Sequence, residues 1–197
     1  MNHVNKMITR VSILDSASAS VLSGALRGQQ LLVKILPVLA SEPMAPEAVF
    51  LDFAGVEAAT ASFLRESVLA FRDMARGRRS NIYPVVANAN EAVREDLAEV
   101  VKSRGGVLMA CKLDEVGKVS EPRVIGELDP KQQLTFDLVR KRGETDAAEL
   151  MREHGAGEIV GPTAWNNRLA GLVGLGLIIE DISSGRTKRY RPLLQGV

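Results

Sequence analysis

The sequence predicts an α/β protein that ends in a small α+β part. Between residue 7 and about residue 112 the apolar pattern switches repeatedly between the period of a strand and the period of a helix. Beyond about residue 127 it reads as three short helices and then two strands. The single cysteine, Cys111, excludes an internal disulfide framework, so aliphatic packing in a reducing compartment has to supply the stability.

The elements follow in order. Met7 to Leu14 reads as the first strand, and Val21 to Leu36 as a helix with Leu22, Leu26, Gln29, Val33 and Leu36 on its buried face, weakened by Gly24 and Gly28. Glu42 to Pro46 holds two prolines and is loop. Val49 to Phe53 is the second strand, and Ala61 to Ala75 a helix burying Leu64, Val68, Phe71 and Ala75. Arg76-Gly77-Arg78-Arg79 ends it as a solvated cationic terminus. Ile82 to Ala87 is a strand in which Pro84 suggests an edge or a bulge. Asn90 caps a helix to Arg104 with Val93, Leu97 and Val100 inward, Gly105-Gly106 stops it, and Val107 to Cys111 is the last strand of this part, with Cys111 in the core.

Residues 112–127 show no period, contain Gly117, Pro122 and Gly126, and read as a linker, which divides the chain into domains at 1–121 and 122–197. Asp129-Pro130 starts a helix to about Lys141, burying Leu134 and Leu138, with Phe136 and Val139 widening the stripe, and Gly143 ends it. Thr145 caps a short helix from Asp146 to about Glu153 with Ala147, Leu150 and Met151 inward. A glycine-rich turn, His154 to Pro162, leads to a third helix from Thr163 to Leu172 or Val173; Leu177 to Ile182 and Thr187 to Pro192 are strands joined by the turn Ser183 to Arg186.

With 46% hydrophobic and 25% charged residues the chain is not disordered, and with a net charge of +1 any affinity for nucleic acid must come from a local cluster. Val11 to Leu14 is cut off by Asp15, and Leu31 to Ala40 carries Lys34 and Pro37, so neither a secretion signal nor a membrane span is expected. A cytoplasmic, bacterial-type protein is. There is no G-x-x-x-x-G-K-S/T loop, no H-E-x-x-H and no cysteine pair, and His3 and His154 stand apart. No catalytic group, cofactor or metal is expected.

Three helices followed by a hairpin is the order of a winged helix-turn-helix, whose last helix enters the major groove. In the third helix Trp165, Leu169 and Leu172 share the inward face, leaving Thr163, Asn166, Asn167 and Arg168 wholly or partly outward. Asparagine pairs with adenine, arginine with guanine, and threonine with phosphate or a thymine methyl. Ala164, Ala170 and Gly171 are small enough to let a helix approach a duplex. From Pro122 onward eleven Lys and Arg stand against ten Asp and Glu, so charge is concentrated in the hairpin, at Arg186, Lys188, Arg189 and Arg191. The run Thr163 to Ile178, with Leu172-Val173-Gly174-Leu175, resembles the recognition-helix signature of winged-helix transcription regulators, which implies double-stranded DNA as partner.

The run Val49 to Leu64 resembles the STAS domain of anti-sigma-factor antagonists and sulfate transporters, and more closely a STAS-like family of uncharacterised function. The resemblance spans about Met7 to Leu113. It implies a mixed sheet with helices on one side, and regulation or interaction rather than catalysis. Ser62 takes the position of the serine that is phosphorylated in some members, although Thr60-Ala61 replaces the Asp-Ser pair before it and Phe63 replaces a glycine. The plainer reading of Thr60 and Ser62 is that one of them caps the helix. Asp52, inside an apolar strand, is expected to partner a backbone group or an arginine. The function expected is a DNA-binding transcriptional regulator whose STAS-like domain dimerises or senses a partner. The alternative is a signalling adaptor or anti-sigma-antagonist-like protein that docks a kinase or ATPase and uses its winged helix to bind protein.

Overall fold

A computed structural model describes residues 8–154, 161–181 and 188–195. The first part carries β1 (Thr9–Ser12), α1 (Ile13–Ala17), β2 (Val21–Leu22), α2 (Ala25–Ile35), β3 (Glu47–Asp52), β4 (Ala58–Ala59), α3 (Ala61–Leu64), α4 (Ala70–Gly77), β5 (Ile82–Ala87), α5 (Glu91–Arg104), β6 (Leu108–Leu113) and β7 (Val119–Ile125). A π-helical turn, Arg65–Leu69, makes α3 and α4 one continuous rod. The second part carries α6 (Pro130–Arg142), α7 (Ala147–His154), α8 (Pro162–Gly174), β8 (Ile178–Asp181) and β9 (Arg189–Pro192). Five strands form one sheet in the order β1-β3-β5-β6-β7, all parallel except β7. Among the described residues no helix is long and apolar enough to cross a membrane.

The strands alternate strictly between two cores, as their period of two requires. Val49 and Leu51, Ile82 and Val86, and Leu108 and Ala110 face the rod α3–α4 together with α2 and α5. Phe50, Tyr83, Val85, Ala87, Met109 and Cys111 face the opposite way and share a second core with Phe136, Val139, Trp165, Leu169, Leu172, Ile178 and Tyr190. Helices therefore cover both faces of the sheet, not one, and the C-terminal part closes the second face.

Several expectations are corrected by non-local contacts. The first strand stops at Ser12, whose hydroxyl accepts from the Asp15 N–H at 3.1 Å and starts α1. Val21 and Leu22 pair in parallel with Ala58 and Ala59, so the following helix begins only at Ala25. Its buried face is Gly28, Leu31 and Ile35, whereas Leu26 and Val33 are 69% and 67% exposed. Gly28 sets that rotation, because a Cβ there would lie 2.5 Å from the Phe63 carbonyl oxygen. Gly28→Ala is accordingly expected to cost about 1–3 kcal/mol by forcing α2 off the α3–α4 rod. Urea denaturation checks this, and a midpoint equal to wild type would refute the close approach.

Residues 112–127 are not a linker. They hold β7, an antiparallel edge strand on β6, and the division at 121/122 falls within it. A register shift between Ala110 and Lys112, with Glu121 at φ 49°, bulges this edge, which is why no clean alternation shows in the sequence. Pro84 lies in the central strand, not at an edge. The Phe53 N–H bonds to Ala87 O and the Asn88 N–H to Cys111 O, so by alternation the Pro84 nitrogen points toward β6, whose ladder begins only at Val85. In α6 the buried residues are Thr135, Phe136 and Val139, and Leu134 is 44% exposed. The cap of α7 is Asp146, not Thr145. Its Oδ1 accepts from the Glu149 N–H at 2.8 Å while Glu149 Oε2 accepts from the Asp146 N–H at 3.2 Å, a reciprocal capping box.

Candidate nucleic-acid interface

Helix α8 starts as its sequence requires, with Pro162 in its first turn, where a missing N–H leaves nothing unsatisfied. Trp165, Leu169 and Leu172 are fully buried. Thr163, Asn166, Asn167 and Ala170 are exposed, and the Asn166 side-chain N–H donates to Pro162 O at 3.1 Å, which leaves its amide oxygen toward solvent. Arg168 is the partly outward member of the set. It is half-buried, with its guanidinium 4.8 Å from the Trp165 ring centre, and so belongs to the flank of α8.

The hairpin is antiparallel, with Ile178 opposite Pro192 and Asp181 opposite Arg189. Thr145 extends it: its N–H donates to Tyr190 O at 2.9 Å and its carbonyl accepts from the Tyr190 N–H at 2.8 Å. Tyr190 and Pro192 point inward, while Arg189 and Arg191 share the half-buried outer face. Burial, and the Glu180 carboxylate beside it, push the Tyr190 phenol up to about 12.

Among the described hairpin cations, Arg189 and Lys188 are engaged within the fold. Arg189 donates to Glu144 at 2.8 Å, Asp146 at 2.9 Å and Glu149 at 2.8 Å. The Arg189 guanidinium, with help from Thr145 and the Asp146 N–H, holds the Glu149 carboxyl below its usual range. Arg189 is thus a strut between β9 and α7. Lys188 is exposed and pairs with Glu180 at 3.0 Å. Arg186, with its turn Ser183 to Arg186, lies outside the described residues, as do His3 and most of the turn before α8.

In the first part Thr60 occupies the N-cap position of α3, yet its hydroxyl caps nothing. It accepts from the Gly24 N–H at 3.2 Å and lies 3.2 Å from the half-buried Ser62 hydroxyl. Neither residue is the expected side-chain cap; the pair ties α2 to the rod. Asp52 does have the partners expected of it. It accepts from Arg10 Nε at 2.7 Å, Asn88 Nδ2 at 2.8 Å and the Ala54 N–H at 3.1 Å, knitting three strand ends together. Burial pushes the Cys111 thiol up to about 12, with the Asp52 charge adding to it, so it stays a thiol at neutral pH. Among the described residues no group of three or more His, Cys, Asp or Glu could hold a metal ion.

The residue that sequence reasoning missed is Arg76. Expected in solvent, it is half-buried over the Tyr83 ring at 4.0 Å and donates to Ser80 O at 2.9 Å, Ile82 O at 3.1 Å and Val173 O at 2.8 Å. The cluster of arginines was the visible signal; the carbonyls that α8 turns toward it, 97 residues away, were not. No protein-family model matches this chain, and no curated protein does.

Proposed function

We propose that this protein is a DNA-binding transcriptional regulator, with a STAS-like first module that dimerises or takes a partner and a winged-helix C-terminal module whose α8 reads the major groove. The observation that carries the reading is the chemistry of the exposed face of α8. Thr163, Asn166, Asn167 and Ala170 present one hydroxyl, two amides and a methyl, while the opposite face is entirely core. Each of the two exposed amides carries its own donor and acceptor, which match the N7 acceptor and N6 donor of an adenine edge. Asn166 and Asn167 read, Thr163 contacts phosphate or a thymine methyl, and Lys188 exchanges Glu180 for a phosphate. Arg168 and Arg189 support the helix and the hairpin from behind.

The test is selection of bound sequences from a random duplex pool, followed by affinity measurements on the enriched site. Asn166→Ala with Asn167→Ala is expected to weaken the selected site by about 1–3 kcal/mol for each amide pair lost, while binding to unrelated duplex stays as in wild type. Equal loss on all sequences would reject base reading by these amides. A pool with no enriched sequence would reject the regulator and leave the adaptor. That second reading draws on Leu26 and Val33, 69% and 67% exposed and two turns apart on one face of α2.

A further inference from the structure

Among the described hairpin cations, Arg189 is held by three carboxylates and Lys188 by one. A second group of cations stands beside α8, and it comes from the first module. Arg76 fastens the end of α4 to the last turn of α8 through Val173 O and Gly174 O, at 2.8 and 3.4 Å. The two arginines that follow in this anchored turn, Arg78 and Arg79, are exposed. Arg79 and Lys188 line a groove of about 440 Å3 together with Ala170, Val173 and Gly174 of α8. Two acids face the same region. Glu42 accepts from the Ser80 hydroxyl at 2.7 Å and from the Asn81 N–H, and Glu180 holds Lys188. Arg76, Arg78, Arg79 and Lys188 outnumber them, so the region is net positive.

We propose that Arg78 and Arg79 grip the phosphate backbone of the duplex that α8 reads, so that the DNA-binding surface is composite and built from both modules. The inference rests on the regulator reading. Asn167 and Gly174 are two turns apart on the exposed stripe, about 11 Å along the axis. A major groove is about 12 Å wide, so a helix that reads bases at Asn167 carries its C-terminal end to a groove wall, where phosphates stand. Ala170 and Gly174 have no long side chain to hold a backbone away. A rigid joint matters here: cations on a freely hinged module would contribute less, because their ordering would have to be supplied on binding.

The experiment is the salt dependence of binding to the selected duplex, measured on the full chain. Arg78→Ala with Arg79→Ala is expected to reduce the slope of log K against log salt by about two units and to keep the sequence preference. Lys102→Ala, which removes an exposed cation from α5 on the other side of the sheet, is expected to leave the slope as in wild type. Arg78→Gln with Arg79→Gln serves if the alanine variant folds poorly. An unchanged slope in both arginine variants overturns the composite surface and leaves the regulator reading standing, and so does an equal loss in Lys102→Ala. Wild-type protein that enriches no duplex removes the regulator reading itself, and the composite surface with it.

Discussion

Leu169→Ala is expected to lower the unfolding free energy by about 2–5 kcal/mol, and to move every unfolding signal together. Leu169 is fully buried in the core that α8 shares with Phe50, Tyr83, Val85 and Met109 of the sheet. Its truncation leaves a cavity in that shared core, which relaxes only partially to fill it. For a chain of this size the loss corresponds to about 2–4 °C in Tm per kcal/mol. Trp165 is the only tryptophan and sits in the same core, so its fluorescence reports the C-terminal part, while far-UV circular dichroism is dominated by the larger α/β part. If the two parts are one cooperative unit, both signals shift by the same amount of denaturant in the variant. Two separated transitions, with only the fluorescence moving, would show that the second core does not bind the modules into one.

The shared core also explains what the sequence could and could not disclose. Where period and turn residues agree, the elements and their inward faces were legible: Leu64, Val68, Phe71 and Ala75 in the α3–α4 rod, Val93, Leu97 and Val100 in α5, and Trp165, Leu169 and Leu172 in α8. The caps at Asn90 and Asp129 were legible for the same reason, since a cap is a contact over three residues. What failed depends on partners far along the chain. The face of α2 is set by Phe63 against Gly28, the place of Pro84 by where β6 begins, and the strand β7 by its pairing with β6, which leaves Glu121 and Arg123 exposed and buries only Ile125 fully. At the candidate site, the buried stripe of α8 and its outward amides could be read. The fates of Arg168, Arg189 and Arg76 could not, because a long cationic side chain goes wherever the fold supplies carboxylates, carbonyls or a ring.

Arg189→Met is expected to destabilise the protein by about 2 kcal/mol near neutral pH, less than the roughly 3–5 that breaking a fully buried pair costs. The discount reflects exposure, since the Arg189 and Glu149 side chains are 24% and 25% accessible. The loss has a pH signature whose sign follows from the geometry. In wild type the Glu149 carboxyl is held below its ordinary value of 4.5, with the Arg189 hydrogen bond as the largest cause. That contribution to stability is present above the ordinary value and disappears as pH falls through the lower, folded-state value. In the variant the Glu149 carboxylate loses the Arg189 hydrogen bond that favours its charged form, so its protonation no longer breaks that contact. The stability difference between the two proteins is therefore full near pH 7 and narrows as pH falls below 4.5, through the lower folded-state value of Glu149; a difference that stays constant through that fall would refute the strut. Hydrogen exchange should locate the effect at the Thr145 and Tyr190 amides, which pair across the strand that Arg189 holds. The same variant separates support from contact. If Arg189 only positions the hairpin beside α8, affinity for the selected duplex falls while the salt slope stays at the wild-type value, whereas a direct phosphate contact would take about one unit from it.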